Sequence, residues 1–251
     1  MLESDLVAAS NAEFFMRVAA LSPGGRAFEL DGVRAAVSSA APERPLLNSV
    51  AVLRRGALDE AAYERIAAAY AEAGVAGWTV WVDPADERTA QLLRSRGHVA
   101  DAHPRTMAAD VAEIAGEPSQ RGGPLAPQPD MADFARVNDA VYGYPGSFER
   151  TVGRIPGGTL HTYAVLDGGD PVAVGGGVVL GSDLHISLVA TLPEHRGRGH
   201  ASRIIRRLAA DSLARGCQTS TLVATKAGAP VYERLGYRDV GWLDMWELSV
   251  T

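Results

Sequence analysis

"ATLPEHRGRGHASRIIRRL", Ala190 to Leu208, is the stretch on which the fold turns. A β-favouring run, "DLHISLVA", ends at Ala190, and a proline turn follows. Ile204, Ile205, Leu208 and Ser212 then give the next segment an inner face at helical spacing, which predicts a helix from about Gly199 to Arg215. Gly197 and Gly199 stand where strand passes into helix. Lacking a Cβ, they let backbone N–H groups approach a ligand closely, and a helix N-terminus adds unpaired donors and partial positive charge. The pattern describes an anion cradle suited to a phosphate or pyrophosphate, with Arg196 and Arg198 adding charge-assisted bonds. A plain glycine turn with solvated arginines is the competing reading. The spacings G-x-x-x-x-G-K-[ST] and G-x-G-x-x-G of other phosphate loops are absent. Arg203, Arg206 and Arg207 are expected on the solvent face of the helix.

The rest of the chain limits what this cradle can serve. Its 251 residues suit two domains. A hydrophobic content of 47% with 22% charged residues is that of a soluble globular protein. The net charge of −6 opposes general nucleic-acid binding through the arginines, as does the lack of aromatic platforms beside them. A single cysteine, Cys217, excludes an internal disulfide and reads as a buried thiol in a strand. The opening "MLESDLVAASNAEFFMRVAAL" reads as an amphipathic helix and not a signal peptide. No stretch approaches the ~20 apolar residues of a membrane span. A cytoplasmic location is therefore expected, without membrane or nucleic-acid partners.

"AGEPSQRGGPLAPQPD", Ala115 to Asp130, is poor in large apolar residues and rich in proline and glycine, and reads as a break. It sets expected boundaries at 1–114, a linker at 115–128, and 129–251. The first segment shows strands at Arg26–Leu30, Val33–Ser38 and Asn48–Leu53, a helix at Leu58–Ala73, a strand at Trp78–Val82, a helix ending at Gly97 and a last strand in "RTMAADV". The second shows a helix at Met131–Val141, strands at His161–Leu166, Val172–Leu180, Leu184–Ala190 and Thr219–Ala224, a helix at Gly228–Leu235 and a closing strand at Arg238–Leu248. Three glycines inside the Val172–Leu180 strand point to a bulge or a close backbone approach. Placing Gly97 on Gly236 aligns the ends of the two segments in order of elements, so the chain reads as a duplication of pattern.

Arg196-x-x-Gly199-x-Ala201 resembles the R/Q-x-x-G-x-G/A signature of the GNAT acyltransferases, in the place where that family carries it. "AGAPVYERLGYRDVG" is similar to the family's closing motif, and the resemblance covers about Leu125 to Thr251. It implies an α/β (α+β) architecture of two tandem GNAT-like acyl-CoA N-acyltransferase folds. Each would be a mixed, mostly antiparallel twisted sheet flanked by helices. It implies a cleft for acetyl-CoA or another acyl-CoA as co-substrate, with no metal. Backbone amides of Arg196, Gly197, Arg198, Gly199, His200, Ala201 and Ser202 would hold the pyrophosphate, and the edge at Leu188, Val189 and Ala190 would pair with the pantetheine arm.

Tyr232 falls where the family carries the tyrosine that protonates the departing thiolate; a half-buried helix aromatic is its structural alternative. No carboxylate lies mid-strand in "DLHISLVATLPE", so the base is open among His185, whose intrinsic pKa suits the role, Asp183 at the start of the strand, and a water relay. Glu194 adjoins the phosphate turn. Tyr142 and Tyr144, in "VYGYPGSF", are candidates to line the acceptor pocket, or are tyrosines packed around a Pro-Gly turn. The first segment has no such signature: Asp59 and Glu60 open its helix, where they would repel phosphate, and Leu93 aligns with Tyr232. It is expected to be a degenerate, inactive half that covers the sheet or walls the pocket. The implied activity is N-acetylation of a primary amine on a small molecule or peptide, by direct attack on the thioester, in a monomer or homodimer. A non-catalytic acyl-CoA sensor is the alternative.

Overall fold

The computed structural model describes residues 3–116 and 123–249. Its first series of elements is α1 (Glu3–Leu21), β1 (Arg26–Leu30), β2 (Val33–Val37), β3 (Ser49–Val52), α2 (Glu60–Glu72), β4 (Trp78–Val82), α3 (Glu87–Ser95), β5 (Val99–Ala102) and β6 (Arg105–Asp110). After the short α4 (Val111–Ile114) comes the second series: β7 (Leu125–Pro127), α5 (Met131–Tyr142), α6 (Ser147–Arg150), β8 (His161–Asp167), β9 (Asp170–Leu180) and β10 (Asp183–Thr191). It ends with α7 (His200–Leu213), β11 (Thr219–Ala224), α8 (Ala229–Glu233), β12 (Arg238–Trp242) and β13 (Asp244–Leu248).

Local chemistry sets the helix ends. Asp59 starts α2 by accepting from the Ala62 N–H, and Tyr63, Ile66 and Tyr70 form its buried stripe. Asp130 caps α5 in the same way at Ala132, and Gly143 ends it in the left-handed region at φ 71°.

Two sheets result, with the orders β1-β2-β3-β4-β13-β5 and β12-β6-β11-β10-β9-β8-β7. Within each, one pair is parallel, β3 with β4 and β10 with β11. The sheets do not divide where the sequence suggests. β6, from the first segment, lies between β11 and β12 of the second sheet. In exchange β13, from the end of the chain, lies between β4 and β5 of the first. The run Arg238–Leu248, read as one strand, is two strands in different sheets, separated at Leu243.

The links explain the exchange. Between β5 and β6 stand only His103 and Pro104, and a two-residue type I′ hairpin needs positive φ at both positions, which proline's ring forbids. Between β12 and β13 the single Leu243 is too short for a hairpin loop. Each chain segment therefore runs on into the neighbouring sheet. The two crossings touch, the Leu243 N–H donating to the Pro104 carbonyl at 3.1 Å.

The expected linker also carries structure. Residues 117–122 lie outside the described ones, but Leu125–Pro127 forms edge strand β7 on β8. Arg203 and Arg206 are not on the solvent face. Arg203 is buried and donates to the Gly123 carbonyl at 3.0 Å, and Arg206 donates to the Ile114 carbonyl at 3.1 Å. They tie both ends of this crossing to α7, while Arg207 pairs with Asp211 across one helical turn.

One core fills the space between the second sheet and α7, with Ile204, Ile205 and Leu208 fully buried. Gly175 permits that closeness, since a Cβ there would stand 2.7 Å from Ile204 Cγ2. A second core, on the opposite face, joins α5 residues such as Phe134 to Phe14 and Val18 of α1 and to Leu47. A third fills the first sheet around Tyr70, Trp78 and Trp246. Helix α1 of the first half thus packs on both sheets.

Candidate active site

The site begins with a failure of strand pairing. β10 and β11 are in parallel register from Asp183↔Thr219 to Ile186↔Leu222 and pair no further, although β11 continues along β6 to Ala224. Beyond Ile186 the two strands separate. On its other side β10 bulges against β9, the register shifting between Ser187 and Ala190, with Leu188 at φ 55°. A non-glycine residue in that region is uncommon, and here it coincides with the bulge. The polar backbone of Leu188 and Val189 is thereby released from the sheet on both sides, while Ser187 still pairs with Gly176 of β9.

The same strand leads into the glycine turn. Gly197 and Gly199 have φ 74° and 78°, and Gly199 caps α7 with no side-chain hydrogen bond. Arg196 Nε and the Arg198 guanidinium donate to the carbonyls of Thr191 and Glu194, both at 3.1 Å, which braces the turn. The first half shows the contrast. There Asp59 takes the Ala62 N–H at 2.9 Å, Asp86 takes the Gly56 N–H at 2.8 Å, and Arg54 and Arg55 pair with Asp31 and Asp83. Carboxylates of the chain occupy the donors that a phosphate would need. The open turn of the second half fits a pyrophosphate and the closed turn of the first does not.

Between the halves lies a cavity of about 370 Å³. Of the expected site residues it brings together Tyr232, His185, Leu188, Val189 and Tyr142. Ala190 is buried in the core beneath the bulge, and the Arg196–Ser202 turn lies beyond the cavity lining. Tyr144 is not in the lining either: it stacks on Phe148 at 5.8 Å and carries the Arg44 guanidinium 4.7 Å above its ring. Arg44 belongs to a strap of the first half, residues 38–48, folded around Asn48, which accepts from the Ser38 N–H and donates to the carbonyls of Ala41 and Arg44. The strap holds α6 through Glu43, which accepts from the Ser147 hydroxyl at 2.9 Å and pairs with Arg150.

His185 is fully buried, and burial pushes its pKa down to about 3, so the imidazole is neutral. Thr221 donates its only hydroxyl proton to Asp183 at 2.7 Å, so its oxygen accepts from His185 Nδ1 at 3.0 Å. This fixes the tautomer and leaves Nε2 as an acceptor, buried and without a partner. Asp183 itself stands behind His185 and outside the cavity lining. Burial raises its pKa, while hydrogen bonds from Thr221, Ser10 and Thr219 work against that rise. Ser10 comes from α1, so the first half anchors the network. Glu194 is exposed beside the glycine turn, away from the lining.

Tyr232 has only part of its surface accessible, and that part faces the cavity between the halves, not bulk water. Burial within these walls raises its phenol well above the usual value, with Tyr142 nearby adding to the effect. The hydroxyl is therefore protonated at any working pH.

The first half supplies cavity residues that sequence reasoning missed: Asn11, Phe14, Phe15, Trp81 and Asp101, with Met245 from the exchanged strand. One signal was present. Val7, Asn11, Phe14 and Val18 form the buried stripe of α1, and an asparagine inside such a stripe needs a polar partner. Among the described residues Asn11 Nδ2 has none.

A sequence model described as "Acetyltransferase (GNAT) domain" matches residues 158–239. An "Uncharacterized N-acetyltransferase" of Streptomyces griseus is 37% identical over 79 residues, which is 32% of this chain and 18% of that protein. The match therefore spans less than a fifth of that relative's length. Among solved structures, a GCN5-related N-acetyltransferase from Kribbella flavida is similar over 100% of this chain and 97% of its own, with a TM-score of 0.71 and 16% identity. A tandem GNAT protein from the clavulanic acid biosynthesis pathway is similar over 99% and 96%, with a TM-score of 0.59 and 13% identity. At these identities the likeness is one of fold, and it runs through both halves. The match to a GNAT acetyltransferase domain falls on the half that holds the open turn and the separated strands, and the chain as a whole has the fold of tandem GNAT proteins.

Proposed function

We propose that this chain transfers an acyl group, acetyl foremost, from coenzyme A to a primary amine, with the chemistry in the cleft of the second sheet. One observation carries the reading: β10 parts from β11 at a bulge that opens into the cavity, and the same strand runs on to an uncapped helix N-terminus. Bound acyl-CoA supplies a thioester carbonyl activated towards amines. The N–H groups from Gly197 to Ser202 take the pyrophosphate, and the released backbone of Leu188 and Val189 pairs with the pantetheine arm.

Tyr232 holds the proton that the departing sulfur takes. A free thiol has pKa ~8.5 and a phenol ~10, and the phenolate left by the transfer recovers the proton that the amine nitrogen sheds as the amide forms. His185 has a narrower role than that of a base for an ammonium. A neutral imidazole with a pKa near 3 does not keep such a proton, but its Nε2 accepts a hydrogen bond from a neutral amine and aims the nitrogen lone pair. The first half, with its phosphate donors already taken, walls the pocket and performs no turnover.

Thiol release measured with DTNB across a panel of amines tests this. Tyr232→Phe is expected to lower kcat about 10²-fold or more while leaving CoA affinity unchanged. Equal rates in the two proteins would remove Tyr232 from the chemistry. Tight CoA binding with no thiol release from any amine would instead make the chain an acyl-CoA-binding module.

A further inference from the structure

The cavity between the halves has an unusual inventory of charge. Among the described residues its lining contains no lysine and no arginine, and its one carboxylate is Asp101, on the exposed strand β5. An acceptor bearing a carboxylate or phosphate would be buried without a cationic partner, a cost of several kcal/mol. A polyamine or aminoglycoside brings two or more ammonium groups to a single carboxylate. An aminosugar brings a ring of hydroxyls to walls made of Phe14, Phe15, Trp81, Phe148, Leu188 and Met245, where most would go unpaired. Two polar atoms in the lining are buried without a partner, the donor Asn11 Nδ2 and the acceptor His185 Nε2.

From this inventory we infer that the acceptor is a monoamine on an aromatic or similarly apolar body, with no anionic group. The inference rests on the transferase reading above and names its substrate class. The apolar body lies among the aromatic side chains of α1 and β4, Phe15 and Trp81 standing 5.9 Å apart between ring centroids. Asp101 draws the ammonium to the exposed side of the pocket. The ammonium gives its proton to solvent at that exposed side, and the neutral amine then donates one N–H to His185 Nε2 and keeps its lone pair free for attack. Asn11 Nδ2 offers one donor to an oxygen substituent on the body.

Binding and turnover separate the acceptor class from the transferase reading. With CoA present, calorimetry compares 2-phenylethylamine and tryptamine with phenylalanine and tryptophan, which add only a carboxylate, and with spermidine and glucosamine. The two arylalkylamines are expected to bind about 30-fold more tightly than the others, and to give the highest kcat/KM for thiol release from acetyl-CoA. Phe15→Ala and Asp101→Asn should each weaken 2-phenylethylamine binding about 10-fold without altering CoA affinity, and the exposed position of Asp101 guards against a folding artefact. Equal or tighter binding of the amino acids, spermidine or glucosamine overturns the acceptor class. Turnover confined to those amines overturns it too, while leaving the transferase reading in place. Selective arylalkylamine binding without thiol release upholds the cavity's ligand class but rejects the transferase reading, and with it the naming of that ligand as an acyl acceptor.

Discussion

Trp246 offers a sharp test of the strand exchange. It stands near the end of the chain, yet it is only 4% exposed within the core of the first sheet. It pairs with Val80 on one side and Ala100 on the other, and the Arg94 guanidinium lies 4.8 Å above its ring. Truncating a buried tryptophan to alanine costs about 3–5 kcal/mol. Were the halves self-contained, that loss would fall on the second alone. With β6 and β13 interior to each other's sheets, removing either strand opens a gap and not a frayed edge, so the sheets unfold together. Taking a urea m-value of about 3 kcal/mol/M, Trp246→Ala should move a single transition down by about 1–1.7 M. Far-UV circular dichroism and the fluorescence of the remaining tryptophans, Trp78 and Trp81 in the first sheet and Trp242 in the second, should report the same midpoint. Two separate transitions, or a midpoint that moves by less than about 0.2 M, would refute the exchange.

Stability should also fall in mild acid. Burial lowers His185 to about 3 and His98 to about 4. Because both folded values lie below the unfolded ~6.5, the unfolded chain takes up protons first. Stability is then level above about pH 6.5 and drops as pH falls towards 3, by at most ~1.4 kcal/mol per unit for each imidazole. A melting temperature that stays flat from pH 7 to 4.5 would contradict their burial. Gly199→Ala is expected to keep the fold, since nothing lies within 4 Å of a Cβ there, but to strain a backbone at φ 78°. Rotation of the turn to relieve ~1–2 kcal/mol should weaken CoA binding about 10-fold in calorimetry, and unchanged affinity would detach the turn from the cofactor.

Much of the fold was legible because it is written locally. The stripes of α2, α5 and α7, and the caps Asp59 and Asp130, lie within one or two turns of chain, where spacing alone speaks. The contrast between the halves was legible for the same reason, Asp59 being adjacent to the helix it blocks. Arg203 and Arg206 were misread because their partners, the carbonyls of Gly123 and Ile114, are remote in sequence. The dipeptide His103-Pro104 held a clue to the exchange, since it cannot make the tight hairpin that a closed half would need.

The sequence by itself determined the glycine turn before α7, the tyrosine after it and the absence of both from the first half. These are contiguous motifs whose geometry follows from glycine, a helix start and residue order. The tertiary structure alone decided which sheet each closing strand joins and what walls the cavity between the halves. Alternation along a strand specifies a buried face and never the partner edge, and the pocket gathers Asn11, Trp81, Asp101 and Met245 with His185 and Tyr232 from across the chain. On the proposed transferase reading, acceptor selectivity depends on that convergence, which no local pattern records.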